Sequence, residues 1–150
     1  DGRYQAFVET LLPDLIENMT MQAVAGADAV ALFDTAAGEI SLFDYENFVV
    51  PVLRQVTQEF KKKNPDTKVI YYSKHTNMSF LHAIQDKNID VLGVDWRLDL
   101  SEVLKAFSKD YYIQGNIDPI WLHLPWQNLE KNLQTFWQKL VKNNVNMDRW

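Results

Sequence analysis

Four short apolar runs, each followed by polar residues, constrain the fold of this chain more than any other feature. The first run, Ala29 to Phe33, contains no polar residue and leads directly into Asp34 and Thr35. A run of this kind is typical of a strand buried on both faces of a parallel sheet. The other three runs and the polar residues that follow them are, in chain order, 68–73 with Lys74, 89–94 with Asp95, and 111–114 with Asn116 and Asp118.

Segments with the apolar spacing of amphipathic helices alternate with these runs, at about 3–25, 44–63, 78–86, 99–108 and 126–142. This alternation predicts βαβ units and one parallel sheet in a single α/β domain covering residues 1–150. Because the carboxyl ends of parallel strands share one edge of a sheet, the polar residues are predicted to form one ligand-binding rim. Periodicity alone leaves two architectures open: part of a barrel, or a small doubly wound sheet.

The composition argues against several classes of function. The net charge is -5, so nucleic acid is not expected as a partner. No apolar run approaches the roughly 18 residues that a membrane span needs. The chain has no cysteine, which fits a cytoplasmic protein and removes a thiolate zinc site. His75, His82 and His123 are scattered, so we expect no metal site.

Three short signatures follow the predicted strands in order. They are Phe33-Asp34-Thr35, a Gly-x-Asp-Trp motif at 93–96 and a Gln-Gly-Asn-x-Asp-Pro motif at 114–119. With this order and spacing, nearly the whole chain resembles the uroporphyrinogen decarboxylase family. The family fold implies a parallel half of a TIM-type (β/α)8 barrel, about four strands with flanking helices and no separate second domain. Since such a barrel needs about 250 residues, we expect a C-terminal-half fragment.

The resemblance also carries an expected activity. Members of the family are carbon–carbon lyases that convert uroporphyrinogen III to coproporphyrinogen III in heme biosynthesis. They remove four acetate carboxyl groups as carbon dioxide and use no cofactor. Their catalytic aspartate, tyrosine, histidine and arginines match positions outside this chain. The resemblance therefore implies a tetrapyrrole substrate, no catalytic residue in this fragment, an inactive isolated chain and, by analogy with dimeric members, a homodimer.

Three residues match substrate-binding positions of the family. Thr35 matches a Ser/Thr that hydrogen-bonds a substrate carboxylate, and Phe33 and Tyr72 match aromatic residues that line the tetrapyrrole pocket. From the residues alone, the favoured interpretation of Thr35 is a threonine that closes a strand by bonding nearby backbone, and only the resemblance favours the substrate contact. Likewise, an aromatic residue on a buried strand is most often part of the core.

The polar residues of the predicted rim have structural interpretations as well. Buried charges need partners, so we predict an ion pair from Lys74 to Asp34 or Asp95 that holds strand ends together. Asn116 and Asp118 are predicted to hydrogen-bond the backbone of their own turn.

Two functions of other classes are also compatible with the sequence. The first is a non-catalytic half-barrel with a binding or structural role, whose two unpaired sheet edges would favour dimerisation. The second is a small doubly wound ligand binder with its ligand at the same strand ends. That second function predicts a glycine-rich phosphate-binding turn, and the five glycines of the chain are isolated.

Overall fold

The computed structural model describes residues 2–150, and four parallel strands form one sheet within them. The strands are β1 (Ala29–Asp34), β2 (Lys68–Ser73), β3 (Val91–Val94) and β4 (Tyr112–Gly115). The helices are α1 (Gly2–Val24), α2 (Leu42–Asp44), α3 (Val50–Lys63), α4 (Met78–Ile84), α5 (Leu100–Phe107) and α6 (Trp126–Lys142). Shorter turns are the 3-10 segments Ala37–Glu39 and Pro119–His123 and a π-helical turn at Tyr45–Val49.

The order of the strands decides between the two predicted architectures. It is β1-β2-β3-β4, the same in the sheet as in the chain. Right-handed crossovers between successive parallel neighbours place their helices on the same face of the sheet. A doubly wound sheet instead reverses its strand order at a switch point. The predicted half of a TIM-type barrel is therefore confirmed, and the doubly wound alternative is wrong.

One face of the sheet, here called the helix face, packs against the helices and contains the core. Register aligns Leu32, Tyr71, Leu92 and Ile113 across the four strands on this face. Buried side chains from the helices complete the core, among them Ile16, Phe60, Ile84, Leu104 and Leu140. Burial of this apolar surface is the main source of the stability of the fold.

The opposite face, here called the inner face, is not covered by residues 2–150. Register places Ala31, Ile70, Val91 and Tyr112 in one row across it, and Phe33, Tyr72, Gly93 and Gln114 in a second row. Phe33 is 72% exposed and Tyr112 is 53% exposed. The prediction that Ala29 to Phe33 is buried on both faces is therefore wrong. The helices cover only one side of β1, and its other side faces the interior of a barrel.

The boundaries of the elements follow the predicted ones closely. The last helix begins at Trp126 and ends at Lys142, as predicted. Gly26 follows α1 with a φ of 101°, a left-handed conformation that lets the chain turn into β1. The π-helical turn was not predicted. It lengthens the helix entry by one residue per turn, so the backbone N–H of Val50 bonds the carbonyl of Tyr45.

Candidate functional site

The carboxyl ends of the four strands meet at one edge of the sheet. Asp34 is in register with Ser73, and Val94 is in register with Gly115. The loops that follow are joined to one another. The amide of Gly38 donates to the carbonyl of Lys74 at 3.0 Å, and the Asn116 side chain donates to the carbonyl of Asp95 at 2.7 Å. The predicted rim is therefore a continuous polar edge.

Two aromatic rings lie side by side on the inner face just below this rim. The ring centroids of Phe33 and Tyr72 are 6.0 Å apart in an edge-to-face arrangement. The interpretation of Phe33 as a core residue does not fit, because 72% of it is exposed. Burial, and then the negative charge of Asp95, raise the pKa of Tyr72, so its phenol is neutral near neutral pH. The two rings form an apolar wall with one polar hydroxyl.

Thr35 follows β1 directly and is exposed on the rim. Its hydroxyl makes no hydrogen bond to any residue within the described part of the chain. The strand end is closed instead by the amide of Lys74, which donates to the carbonyl of Asp34 at 3.1 Å. The Thr35 hydroxyl is thus accessible to a molecule outside the chain.

Asp34 points to the helix face, where it has a partner that the sequence pattern did not predict. Its carboxylate accepts a hydrogen bond of 2.9 Å from the Tyr71 hydroxyl, which lies 2.7 Å from the hydroxyl of Tyr45. Burial raises the pKa of Tyr45 to about 12, and burial followed by the neighbouring Tyr45 raises the pKa of Tyr71 as well. Both phenols are therefore neutral. Because Tyr71 donates to Asp34, Tyr45 must donate to Tyr71.

The predicted ion pair between Lys74 and an aspartate is not formed. The side chain of Asp95 is 3% exposed and pairs with Arg97, whose Nη1 lies 2.8 Å from its carboxylate. The same carboxylate accepts backbone N–H groups of Arg97 at 2.9 Å and His75 at 3.2 Å. These partners satisfy Asp95 locally, and the Lys74 ammonium makes no ion pair with another described residue. Asp95 is thus a structural residue of the rim.

The guanidinium of Arg97 is held from two sides. It pairs with Asp95 and lies over the Trp96 ring, 4.1 Å from the ring centroid. Asn116 also bonds across the rim, to the carbonyls of Asp95 and Leu98, so the prediction that it bonds its own turn is wrong. Asn116 has a φ of 89°, in the left-handed region that asparagine adopts more readily than most residues. The local bond predicted for Asp118 is confirmed by its contact with the Ile120 amide, at 3.0 Å.

The loop after β1 packs closely onto the turn after β2. Gly38 lies so near the carbonyl of His75 that no Cβ would fit at position 38. The carboxylate of Glu39 lies 3.0 Å from Nδ1 of His75. This contact was not predicted, although an isolated glycine in a loop is a signal for a close approach of two backbones.

Within residues 2–150, His, Asp and Glu side chains form no group of three or more that could hold a metal ion. The helices described here include none with the length and apolar character needed to cross a membrane.

Comparison with known proteins identifies the family. The family model described as "Uroporphyrinogen decarboxylase (URO-D)" matches residues 2–145, which include all four strands and the rim. The chain belongs to the uroporphyrinogen decarboxylase family. The signatures at the strand ends of β1, β3 and β4 lie within the matched residues.

The sequences of individual proteins support the same family. The chain is 38% identical over 109 residues to "Uroporphyrinogen decarboxylase" of Chlorobium phaeobacteroides, covering 73% of this chain and 31% of that protein. It is 35% identical over 120 residues to the protein of the same name from Myxococcus xanthus, covering 80% and 34%. It is 32% identical over 114 residues to "Uroporphyrinogen decarboxylase 2, chloroplastic" of Arabidopsis thaliana, covering 76% and 29%. The matched region spans about a third of the length of these relatives.

Proposed function

We propose that this chain forms one half of the substrate pocket of a uroporphyrinogen decarboxylase. The enzyme would remove the four acetate carboxyl groups of uroporphyrinogen III and release coproporphyrinogen III in heme biosynthesis. The observation that carries the proposal is the pair of aromatic rings on the uncovered inner face, directly below a polar rim with an accessible hydroxyl. A pocket with apolar walls and a few polar groups at its border is the usual form of a small-molecule site.

Each residue of this site has a separate role. Phe33 and Tyr72 pack against the tetrapyrrole, and the Thr35 hydroxyl donates to one of its carboxylates. Lys74 adds a cation that attracts the polyanionic substrate. These roles combine the family resemblance with the exposure of Phe33 and Thr35 and the absence of an ion pair at Lys74 among the described residues.

The chemistry needs groups that these residues do not supply. Loss of carbon dioxide is expected to follow protonation of a pyrrole ring, which makes the ring an electron sink, and the carbanion equivalent is then protonated. Such a reaction depends on general acid catalysis and on stabilisation of a cationic intermediate, and needs no cofactor. The family residues with these roles match positions outside the chain. The isolated chain is therefore proposed to bind the substrate without decarboxylating it.

Titration with uroporphyrin III, the stable oxidised form of the substrate, tests the binding proposal through quenching of tryptophan fluorescence. We expect Thr35→Val to weaken binding about three- to tenfold, the value of one net hydrogen bond, and Phe33→Ala to weaken it similarly. Thr10→Val and Phe43→Ala are matched controls, because both residues are exposed and neither belongs to the strands that form the inner face. Equal affinity of all four variants, or no binding by the wild-type chain, contradicts the proposed site.

An anaerobic incubation with uroporphyrinogen III tests the expected inactivity. Chromatography of the oxidised products should show uroporphyrin alone after incubation with the chain. Formation of coproporphyrin would contradict the assignment of the catalytic groups to other parts of the barrel.

We also infer a cytoplasmic homodimer. The chain has no cysteine, as expected for a reducing compartment. Within residues 2–150, the outer edge of β1 has no strand partner, and an apolar cleft of about 400 Å³ lies beside it. The edge of β4 is already partly used, since the amide of Ile113 donates to the carbonyl of Arg149 at 2.7 Å. Exposed strand edges and apolar surface of this kind favour association with another chain.

A further inference from the structure

Three side chains joined by hydrogen bonds connect the rim to the core. The Tyr45 hydroxyl donates to the Tyr71 hydroxyl, at 2.7 Å, and the Tyr71 hydroxyl donates to the carboxylate of Asp34, at 2.9 Å. Tyr45 is fully buried and Tyr71 is 2% exposed, whereas Asp34 is partly exposed at the strand end. The hydrogen bonds of two buried phenols thus orient one carboxylate.

The contacts of Tyr45, Tyr71 and Asp34, here called the hydrogen-bonded bridge, tie together the two ends of the loop that contains Thr35. The loop leaves the sheet at Asp34 and reaches the π-helical turn at Tyr45. Its middle is held by the contact of the Gly38 amide with the carbonyl of Lys74, at 3.0 Å. The loop is therefore fixed at its first residue, at its centre and at its last residue, and Thr35 is the residue next to the first fixed point.

The bridge also determines where the charge of Asp34 lies. Successive side chains of a strand point to opposite faces, so Phe33 faces the inner face while Asp34 faces the helices, as does Tyr71, the register partner of Leu32. The hydrogen bond from Tyr71 keeps the carboxylate on that side. A carboxylate turned to the inner face would instead repel a polyanion bound there.

We propose that Asp34, held by Tyr71 and Tyr45, is a positioning residue that orients the Thr35 hydroxyl toward a substrate carboxylate. It does not contact the substrate itself. This inference rests on the proposed binding role of Thr35 and extends it to three residues on the helix face. The π-helical turn has a role in this arrangement, because it begins at Tyr45 and places that hydroxyl beside Tyr71.

A double-mutant cycle on uroporphyrin III affinity tests the inference. Tyr71→Phe should weaken binding about three- to tenfold in the wild-type chain, because Thr35 loses its orientation. In the Thr35→Val background, the same change should have an effect of less than about 1.5-fold, since no hydroxyl remains to be oriented. A purely structural role of Tyr71 would give the same loss in both backgrounds, and that result overturns the proposal.

Variants of Asp34 provide a rescue experiment. Asp34→Asn retains an oxygen that accepts from Tyr71, so its affinity should stay within about twofold of the wild type. Asp34→Ala removes the acceptor and should match Tyr71→Phe. If Asn and Ala variants lose affinity equally, the carboxylate acts by its charge and the positioning role is wrong.

Amide hydrogen exchange separates this inference from the proposed substrate site. In Tyr71→Phe, the amides of residues 35–40 should exchange at least about tenfold faster, while those of β3 and β4 keep their rates. Tyr45→Phe removes only the hydroxyl that donates to Tyr71, leaves the contact between Tyr71 and Asp34 in place, and should have a smaller effect of the same kind. It provides a second variant if Tyr71→Phe unfolds. Unchanged exchange at residues 35–40 would show that the contacts of Tyr45, Tyr71 and Asp34 do not fix the loop, and this result overturns the inference whether or not the chain binds uroporphyrin III. If the wild-type chain does not bind uroporphyrin III, the proposed substrate contact of Thr35 is contradicted, while the role of these contacts in fixing the loop is still measured by the exchange.

Discussion

Gly93 lies directly against the ring of Tyr72. A Cβ on this glycine would be 3.0 Å from both Cβ and Cδ2 of Tyr72, and the two residues are register partners on β3 and β2. The lack of a side chain at position 93 lets the Tyr72 ring lean over β3. In the second row of the inner face, the rings of Phe33 and Tyr72 are followed by Gly93, which has no side chain. The surface is therefore lower at Gly93, and this forms a shallow depression under the rim.

The first prediction concerns this depression. Gly93→Ala should push the Tyr72 ring toward Phe33, lower the free energy of unfolding by about 1 kcal/mol through overpacking, and weaken uroporphyrin III binding several-fold. Urea denaturation and fluorescence titration measure the two effects. Gly2→Ala is the matched control, because no atom lies within 4 Å of the corresponding Cβ. Wild-type affinity and stability in Gly93→Ala would contradict the packing described here.

The second prediction concerns self-association through the inner face. Sedimentation velocity of the wild-type chain should show a dimer or larger species, because Phe33 and Tyr112 expose apolar surface on the inner face and the edge of β1 has no strand partner within residues 2–150. Phe33→Asp should shift the distribution toward monomer. Phe43→Asp should not, although Phe43 is just as exposed, at 71%. A wild-type chain that stays monomeric at high concentration would rule out the homodimer for residues 1–150.

The third prediction concerns a buried contact between α3 and the loop after α4. The Thr57 hydroxyl donates to the carboxylate of Asp86, and these residues are 0% and 4% exposed. Thr57→Val leaves a carboxylate oxygen of Asp86 without this donor and should lower the free energy of unfolding by about 1–3 kcal/mol.

Thr10→Val is the control for this change. Thr10 lies exposed on α1, where its hydroxyl donates only to the carbonyl of Ala6, and its replacement should alter stability by less than about 0.5 kcal/mol. Urea denaturation followed by circular dichroism compares the two variants. A similar small effect at both positions would show that Asp86 finds another donor.

The fourth prediction concerns the pH dependence of stability. Burial alone would raise the pKa of Asp90, but hydrogen bonds from Lys61, the Val69 amide and Lys68 outweigh it and lower the pKa below its usual range. A lowered folded-state pKa gives stability that is present above the unfolded pKa of about 4. That stability is lost as the pH falls through the lower folded value.

Asp90→Asn should therefore destabilise the chain near neutral pH, and the difference from wild type should shrink as the pH falls from about 5 through the lowered folded-state pKa. Asp66→Asn removes the same charge from an exposed residue with no ion pair to another described residue, and is the control. Urea denaturation across this range measures the difference. A gap that is constant with pH would mean that the ionisation of Asp90 does not contribute to stability, and would contradict the lowered pKa.

Much of the fold could be predicted from local patterns. The alternation of apolar runs with amphipathic segments identified the four strands, and helix α6 was placed at its observed ends. The burial of β1 could not be predicted in this way. An apolar run such as Ala29–Phe33 has the same composition whether helices or a barrel interior cover its second face. The exposed side of Phe33 follows from the strand order and not from the run itself.

Some features of the site could likewise be predicted from the sequence, and others could not. The strand-end motifs pointed to Thr35, Phe33 and Tyr72, and their binding roles remain predictions. The partners of the charged residues were not predictable, since they depend on the direction in which the fold turns each side chain. Asp95 pairs with Arg97 two residues away, and Asp34 bonds Tyr71 from the neighbouring strand. The predicted pair with Lys74 was wrong for this reason.

The sequence by itself determined the elements, the parallel sheet, the polar ends of the strands and the family, because each of these depends on residue type and spacing along the chain. Only the tertiary structure decided that one face of the sheet is open, that Gly93 makes room for Tyr72 and that Asp34 turns toward Tyr45 and Tyr71. The physical reason is that register and crossover direction bring together residues distant in sequence. Burial and hydrogen bonding depend on those neighbours and not on the local pattern.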